Sequence, residues 1–318
     1  MTPARARLGD YLAITRPSHW AKHIFVLPGV VLAVVLRARP WSGLLAPLLL
    51  GLAAACLAAS ANYVLNEWLD APSDRHHPAK KARPGVVRRL APHRVLIEYA
   101  LLLTAAFALG SLVSWLFDVT LGLFALAGLA YNVPPIRLKD IAYLDVLLES
   151  LNNPLRLVLG WAIVDSETLP PSSLLLAYWM GGAFLMGVKR LAEYRAVTAR
   201  AGVEALARYR RSFARYTETS LTVSSFAYSQ MAAFFLAVFL VKYRIEYLLS
   251  LPFFTLLFVS YLGLGLRTDS RVQSPETLFR DRGLVLSMAL LLAALVVLTF
   301  VDLPWLDRLT TPHYIQLG

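Results

Sequence analysis

Asn66, Asp70 and Asp74 recur every four residues in the stretch Asn66-Glu67-Trp68-Leu69-Asp70-Ala71-Pro72-Ser73-Asp74. On a helix this spacing sets all three on one face. Glu67 adds a fourth oxygen donor beside them. Carboxylates crowded in this way repel one another unless a cation neutralises them. Donors that are all oxygen suit Mg2+, which keeps several waters and is commonly shared with substrate phosphates. The following residues reverse the sign of charge: Arg75, Lys80, Lys81 and Arg83, with His76 and His77 among them. Lys and Arg grip phosphate oxygens directly. Acid followed by base along the chain predicts a metal-and-phosphate site. The alternative is a solvated loop of mixed charge, which has no need to segregate the two signs.

Three further clusters carry chemistry. Arg137 and Lys139 follow an apolar block in Tyr131-Asn132-Val133-Pro134-Pro135-Ile136-Arg137-Leu138-Lys139-Asp140. They serve either as extra phosphate donors or as anchors at a membrane surface. Asp145, Glu149, Asn152, Asn153 and Arg156 fall on one helical face of an otherwise apolar block. Ionisable residues at membrane depth face a cavity or each other. This stripe therefore lines a watered substrate cavity, or closes into a structural Glu149–Arg156 network. Lys189, Arg190 and Glu193 end another apolar block, either at the site rim or simply as a charged helix end.

The elements that position these residues are membrane helices. The chain is 58% hydrophobic over 318 residues and its mean hydropathy is +0.57. The apolar residues fall in nine blocks, near 24–36, 43–65, 95–117, 119–133, 143–164, 171–188, 219–241, 247–266 and 284–303. Backbone groups in lipid must be satisfied internally, so each block is expected to be helical. The fold class is an all-α, nine-helix transmembrane bundle forming one domain over residues 1–318. Pro28 interrupts the first block, and a tight hairpin is expected at Asp118. Residues 1–22 have no long apolar run, show no cleavable signal and read as a cytoplasmic or interfacial segment. Of the 31 Lys and Arg, 25 lie in the N-terminal segment and the loops after alternate blocks. The positive-inside rule makes that face cytoplasmic and puts the C-terminus on the other side. The net charge of +11, lying between apolar blocks, points to anionic substrates and the membrane surface, not to nucleic acid. Cys56 lies alone in an apolar block, so neither a disulfide within the chain nor a cysteine metal cluster is available. The sequence is compatible with an oligomer.

The first cluster resembles the first aspartate-rich motif of the UbiA-type intramembrane prenyltransferase superfamily. Its extension, Asp74-Arg75-x-His77-Pro78-x-Lys80-x-x-Arg83-Pro84, is similar to the branch that includes decaprenyl-phosphate phosphoribosyltransferases. Tyr131–Lys139 and Gly187-Val188-Lys189-Arg190-Leu191-Ala192-Glu193 resemble further segments of that branch, as does Pro275–Arg282. The resemblance implies Mg2+ held by Asn66, Asp70 and Asp74, with Glu67 beside them. It implies phosphate contacts from Arg75, His77, Lys80, Arg83, Arg137, Lys139, Arg156, Lys189 and Arg190. Asp70, Asp74 and Glu193 are then the catalytic candidates. In the wider superfamily the Lys189–Glu193 segment holds a second aspartate-rich motif. Here Lys189 and Arg190 replace acids, which suits a ligand with extra phosphate charge. Glu67 stands where the family usually has Asp, and Pro72 should kink the helix. Gly85-Val86-Val87 and Asn152-Asn153-Pro154 also depart from the branch.

The expected function is transfer of a 5-phosphoribosyl group from phosphoribosyl diphosphate to a polyprenyl phosphate. The acceptor oxygen is already ionised, which fits the lack of an obvious His–Asp dyad. The alternative within the fold is prenyl transfer from a polyprenyl diphosphate to an aromatic or other acceptor. A membrane transporter is the alternative of another class, although paired halves with interrupted helices are not evident. Residues 195–218, basic with interspersed Tyr and Ala, form either an amphipathic helix over the site or a lipid-surface anchor.

Overall fold

The computed structural model describes residues 4–76, 80–267, 270, 272, 278 and 280–310. His77 and Pro275–Glu276 lie outside the described residues. The architecture is helical, with one pair of two-residue strands among the described residues. Strand β1 (Ala4–Arg5) runs parallel to β2 (Arg88–Arg89), bringing the N-terminus to the loop after the acidic cluster.

The helices are α1 (Leu8–Ile14), α2 (Leu27–Leu36), α3 (Leu45–Asp74), α4 (Pro84–Val87) and α5 (Pro92–Gly110). They continue as α6 (Trp115–Asn132), α7 (Leu144–Val164), α8 (Ser172–Ala201), α9 (Val203–Tyr209) and α10 (Glu218–Tyr243). The last three are α11 (Leu251–Gly265), α12 (Arg282–Phe300) and α13 (Pro304–Thr310). A 3-10 stretch, Pro17–Val26, joins α1 to α2.

Eight helical segments among the described residues are long and apolar enough to cross a membrane. They do not include α7, which matches them in length at 21 residues. Its load of Asp145, Glu149 and Arg156 lowers its hydropathy, and that same load faces the interior.

Several local expectations change. Pro28 does not interrupt α2 but sits in its first turn, where a missing N–H is harmless. The hairpin between α5 and α6 turns at Ser111–Ser114, not at Asp118. Ser114 Oγ accepts the Phe117 amide at 3.2 Å and caps α6, so Asp118 falls within its first turn. Residues 195–218 are not one amphipathic helix. Helix α8 runs on to Ala201, Gly202 breaks it at φ +77°, and α9 and a 3-10 turn follow. Helix α3 continues through Pro72 to Asp74.

A core of small and aromatic residues from α2, α3, α6 and α7 holds one half together, including Ala54, Ala58, Phe117, Leu121 and Leu159. Helices α2 and α7 cross at contact distance through Gly29 and Gly160. A Cβ on Gly29 would stand 2.1 Å from the Leu157 carbonyl oxygen, and one on Gly160 2.0 Å from that of Val26. This crossing seats the polar stripe of α7 against the N-terminal stretch.

Candidate functional site

A cavity of about 600 Å³ opens between α3, α6, α7, α8 and the N-terminal 3-10 stretch. Nine cationic side chains and three carboxylates line it. The carboxylates are Asp70, Glu149 and Glu193.

Because α3 stays helical to Asp74, Asn66, Asp70 and Asp74 share a face as their spacing requires. Asp70 sits at the centre of the rim. Its carboxylate accepts from Lys139 Nζ at 2.5 Å, from Arg137 Nη2 at 2.8 Å and from Asn66 Nδ2 at 3.0 Å. Lys139 also donates to Asn132 Oδ1 at 2.8 Å, and Asn66 to the same oxygen at 2.6 Å. Burial pulls the Lys139 ammonium down to about 8, against the opposing pull of Asp70. Asp74 pairs with Arg83 at 2.7 Å and Lys80 at 3.7 Å. Burial likewise lowers Lys80, with Asp74 opposing it. The acids and bases that the sequence kept apart are thus interleaved at one rim.

A second network stands on α7 and α8. Arg190 reaches Glu149 at 2.5 Å, Asp145 at 3.3 Å and Glu193 at 3.4 Å. Asp145 is fully buried and also accepts from Tyr216 Oη at 2.6 Å and Ser212 Oγ at 3.1 Å. Tyr131 donates to Glu149 at 3.0 Å and accepts from Arg210 at 3.0 Å. The partner of Glu149 is therefore Arg190, not Arg156. Arg156, Asn152 and Asn153 line the cavity, as the stripe predicted.

Not every expected residue meets the cavity. Glu67, expected as a metal donor, is 2% exposed and committed elsewhere. It takes Arg16 at 2.5 and 3.1 Å and the Gly85 amide at 3.3 Å, and it does not line the cavity. Gly85 is required there, since a Cβ would lie 2.9 Å from the Glu67 backbone oxygen and Cγ. The extra methylene of Glu67 thus ties α3 to the N-terminal strap. Arg75 is exposed and outside the lining, because it caps α3 beyond the rim. Lys80, Arg83, Lys139, Lys189 and Arg190 all line the cavity, whereas Arg137 reaches it through Asp70.

Lys22, His19 and Arg16 line the cavity too, and sequence reasoning gave them only to a surface segment. Arg16, His19 and Lys22 recur every third residue at the head of the 3-10 stretch Pro17–Val26, but no apolar periodicity flags it. Arg210 belonged to a basic run whose direction the sequence did not fix.

Asn66 and Asp70 line the cavity, and an amide and a carboxylate there suit Mg2+ as an ion shared with phosphate and water. Asp74, expected beside them as a metal ligand, is buried against Arg83 and Lys80 and lies outside the lining. Among the described residues no group of three or more His, Cys, Asp or Glu makes a self-sufficient metal cage.

Residues 25–280 match the UbiA prenyltransferase family. The chain belongs to this family and is a UbiA-type membrane transferase. Decaprenyl-phosphate phosphoribosyltransferase from Mycolicibacterium smegmatis is 28% identical over 222 residues, 69% of this chain and 66% of that one. The chain thus spans just under two thirds of that relative. Protoheme IX farnesyltransferase from Xylella fastidiosa is also 28% identical, over 184 residues and 58% of each chain. A UbiA homologue from Archaeoglobus fulgidus, solved bound to DMAPP and Mg2+, has the same fold. It aligns at a TM-score of 0.67 and 18% identity, covering 92% of this chain and all of its own.

Proposed function

We propose that the protein transfers a 5-phosphoribosyl group from phosphoribosyl diphosphate to a polyprenyl phosphate, with Mg2+. The observation that carries this reading is the charge of the cavity, nine cationic side chains against three carboxylates. Of those carboxylates, Glu149 and Glu193 are already engaged by Arg190. Such a site suits a ligand set richer in phosphate than a lone prenyl diphosphate. The similarity to the Mycolicibacterium phosphoribosyltransferase points the same way.

In this reading the donor diphosphate lies at the rim. Asn66 and Asp70 would hold the ion, which neutralises charge on the departing diphosphate. Lys139, Arg137, Lys80 and Arg83 are prepaid partners, since each already faces a carboxylate and can turn to phosphate oxygens. The bond between C1 of the ribose and the diphosphate oxygen breaks, and its electron pair leaves with the diphosphate. A lone pair on the ionised lipid phosphate forms the new bond to C1, so no general base is consumed. Glu193 keeps Arg190 oriented at the cavity wall. The nine-crossing topology, with α7 as the ninth span and the rim facing the cytoplasm, belongs to the same proposal. It draws on the 25 basic residues on the rim side.

Prenyl transfer is the second reading, favoured by the farnesyltransferase relative and by Tyr63, Phe124 and Tyr131 in the cavity lining. A paired assay separates them. Purified protein is given Mg2+ with labelled phosphoribosyl diphosphate and a polyprenyl phosphate, or with a labelled prenyl diphosphate and an aromatic acceptor. Labelled lipid phosphate-ribose is expected in the first arm. Product in the second arm alone overturns the reading.

A further inference from the structure

Of the nine cations of the cavity, Arg16 is held by Glu67, Arg190 by three carboxylates and Arg210 by Tyr131, and the other six form two sets. At the rim, Lys139, Lys80 and Arg83 each face Asp70 or Asp74. The second set is Lys22 from the 3-10 stretch, Arg156 from α7 and Lys189 from α8. All three line the cavity, and none makes an ion pair among the described residues.

They share that cavity with His19, so their like charges bear on one another across it. The acid nearest in effect to Lys22 is Glu149, which Arg190 and Tyr131 already hold. Among the described residues, Arg156 Nε and His19 Nδ1 are buried with no hydrogen-bond partner. Like charges gathered with no carboxylate of their own repel one another, and a bound dianion relieves that repulsion. Two mobile ammonium groups and a planar guanidinium match the several oxygens of a tetrahedral phosphate.

We infer that Lys22, Arg156 and Lys189, with His19, form a second anion subsite that takes a phosphomonoester, separate from the diphosphate held at the rim. The inference deepens the function proposed above and rests on its assignment of the rim. A phosphomonoester is available from two sources there, the 5-phosphate of the sugar donor and the head group of the lipid acceptor. The N-terminal stretch Pro17–Val26 thereby becomes part of the substrate site.

The test is a titration of the full-length protein in nanodiscs with three probes: ribose 5-phosphate, a short-chain prenyl monophosphate, and inorganic diphosphate with Mg2+. Lys22→Met and Lys189→Met are expected to weaken at least one monophosphate by about tenfold, the loss of one charge-assisted contact. Diphosphate affinity is expected to stay within about twofold, which also reports that each variant is folded. Lys139→Met should show the reverse pattern. Weakening confined to ribose 5-phosphate assigns the subsite to the donor, and weakening confined to the prenyl monophosphate assigns it to the acceptor. The inference is overturned if wild-type protein binds neither monophosphate, or if Lys22→Met and Lys189→Met bind both as wild type does. Turnover reports separately on the reaction. Absence of phosphoribosyl transfer, with monophosphate binding still lost in Lys22→Met, would sink the reaction and leave the subsite standing.

Discussion

Lys139 Nζ stands 2.5 Å from Asp70 Oδ1, so a loop lysine neutralises the central acid of the α3 motif. In the function proposed above, anionic substrate would release the lysine and a cation would take the acid.

Lys139 gives the site a pH dependence. Burial lowers its ammonium to about 8, so its charge fades as pH rises through that value. Diphosphate affinity is expected to fall between pH 7 and 9, by at most about tenfold per unit for one titrating group. Lys139→Arg should flatten the profile, because a guanidinium stays charged there. Titration calorimetry across pH checks this, and a Lys139→Arg profile like the wild type would remove Lys139 as the cause. Stability runs in the opposite sense. Between about pH 8 and 10.5 the unfolded chain holds more protons at this lysine, so raising pH there stabilises the fold.

Arg190 cross-links α7 to α8 through three carboxylates. Removing it leaves Asp145 buried opposite nothing but hydroxyls. Arg190→Met is expected to destabilise by about 3–5 kcal/mol, the usual result of orphaning a buried charge. Adding Asp145→Asn and Glu149→Gln should restore part of the loss. Thermal unfolding in detergent measures both, and an unchanged midpoint for Arg190→Met would contradict the cross-link.

The crossing of α2 and α7 can be tested away from the site's charges. Gly160→Ala forces a methyl to 2.0 Å from the Val26 carbonyl oxygen, so the helices must separate. A loss of about 1–3 kcal/mol is expected. Gly181→Ala, where a Cβ meets nothing within 4 Å, should be neutral or stabilising. Equal midpoints for the two variants would contradict the close crossing.

Much of this arrangement was legible in the residues. The i, i+4, i+8 spacing of Asn66, Asp70 and Asp74 carried over because α3 remains helical to its last acid. The stripe from Asp145 to Arg156 carried over because polar groups in an apolar helix have only the interior to face. Pairings across the bundle were not legible. Glu149 meets Arg190, 41 residues away, and Glu67 meets Arg16, 51 residues away. No local pattern encodes those distances. Pro17–Val26 is a 3-10 stretch whose Lys22 enters the cavity, and a helical period does not describe it. Asp118 failed as a turn marker because Ser114 supplies the cap instead.

The affinity of inorganic diphosphate, measured with and without Mg2+ in wild-type protein and in Asp70→Asn, tests the central claim most directly. Wild type is expected to bind at least about tenfold tighter with Mg2+, and the variant should lose that gain while still inserting and folding. A variant that keeps the full Mg2+ enhancement would contradict the account.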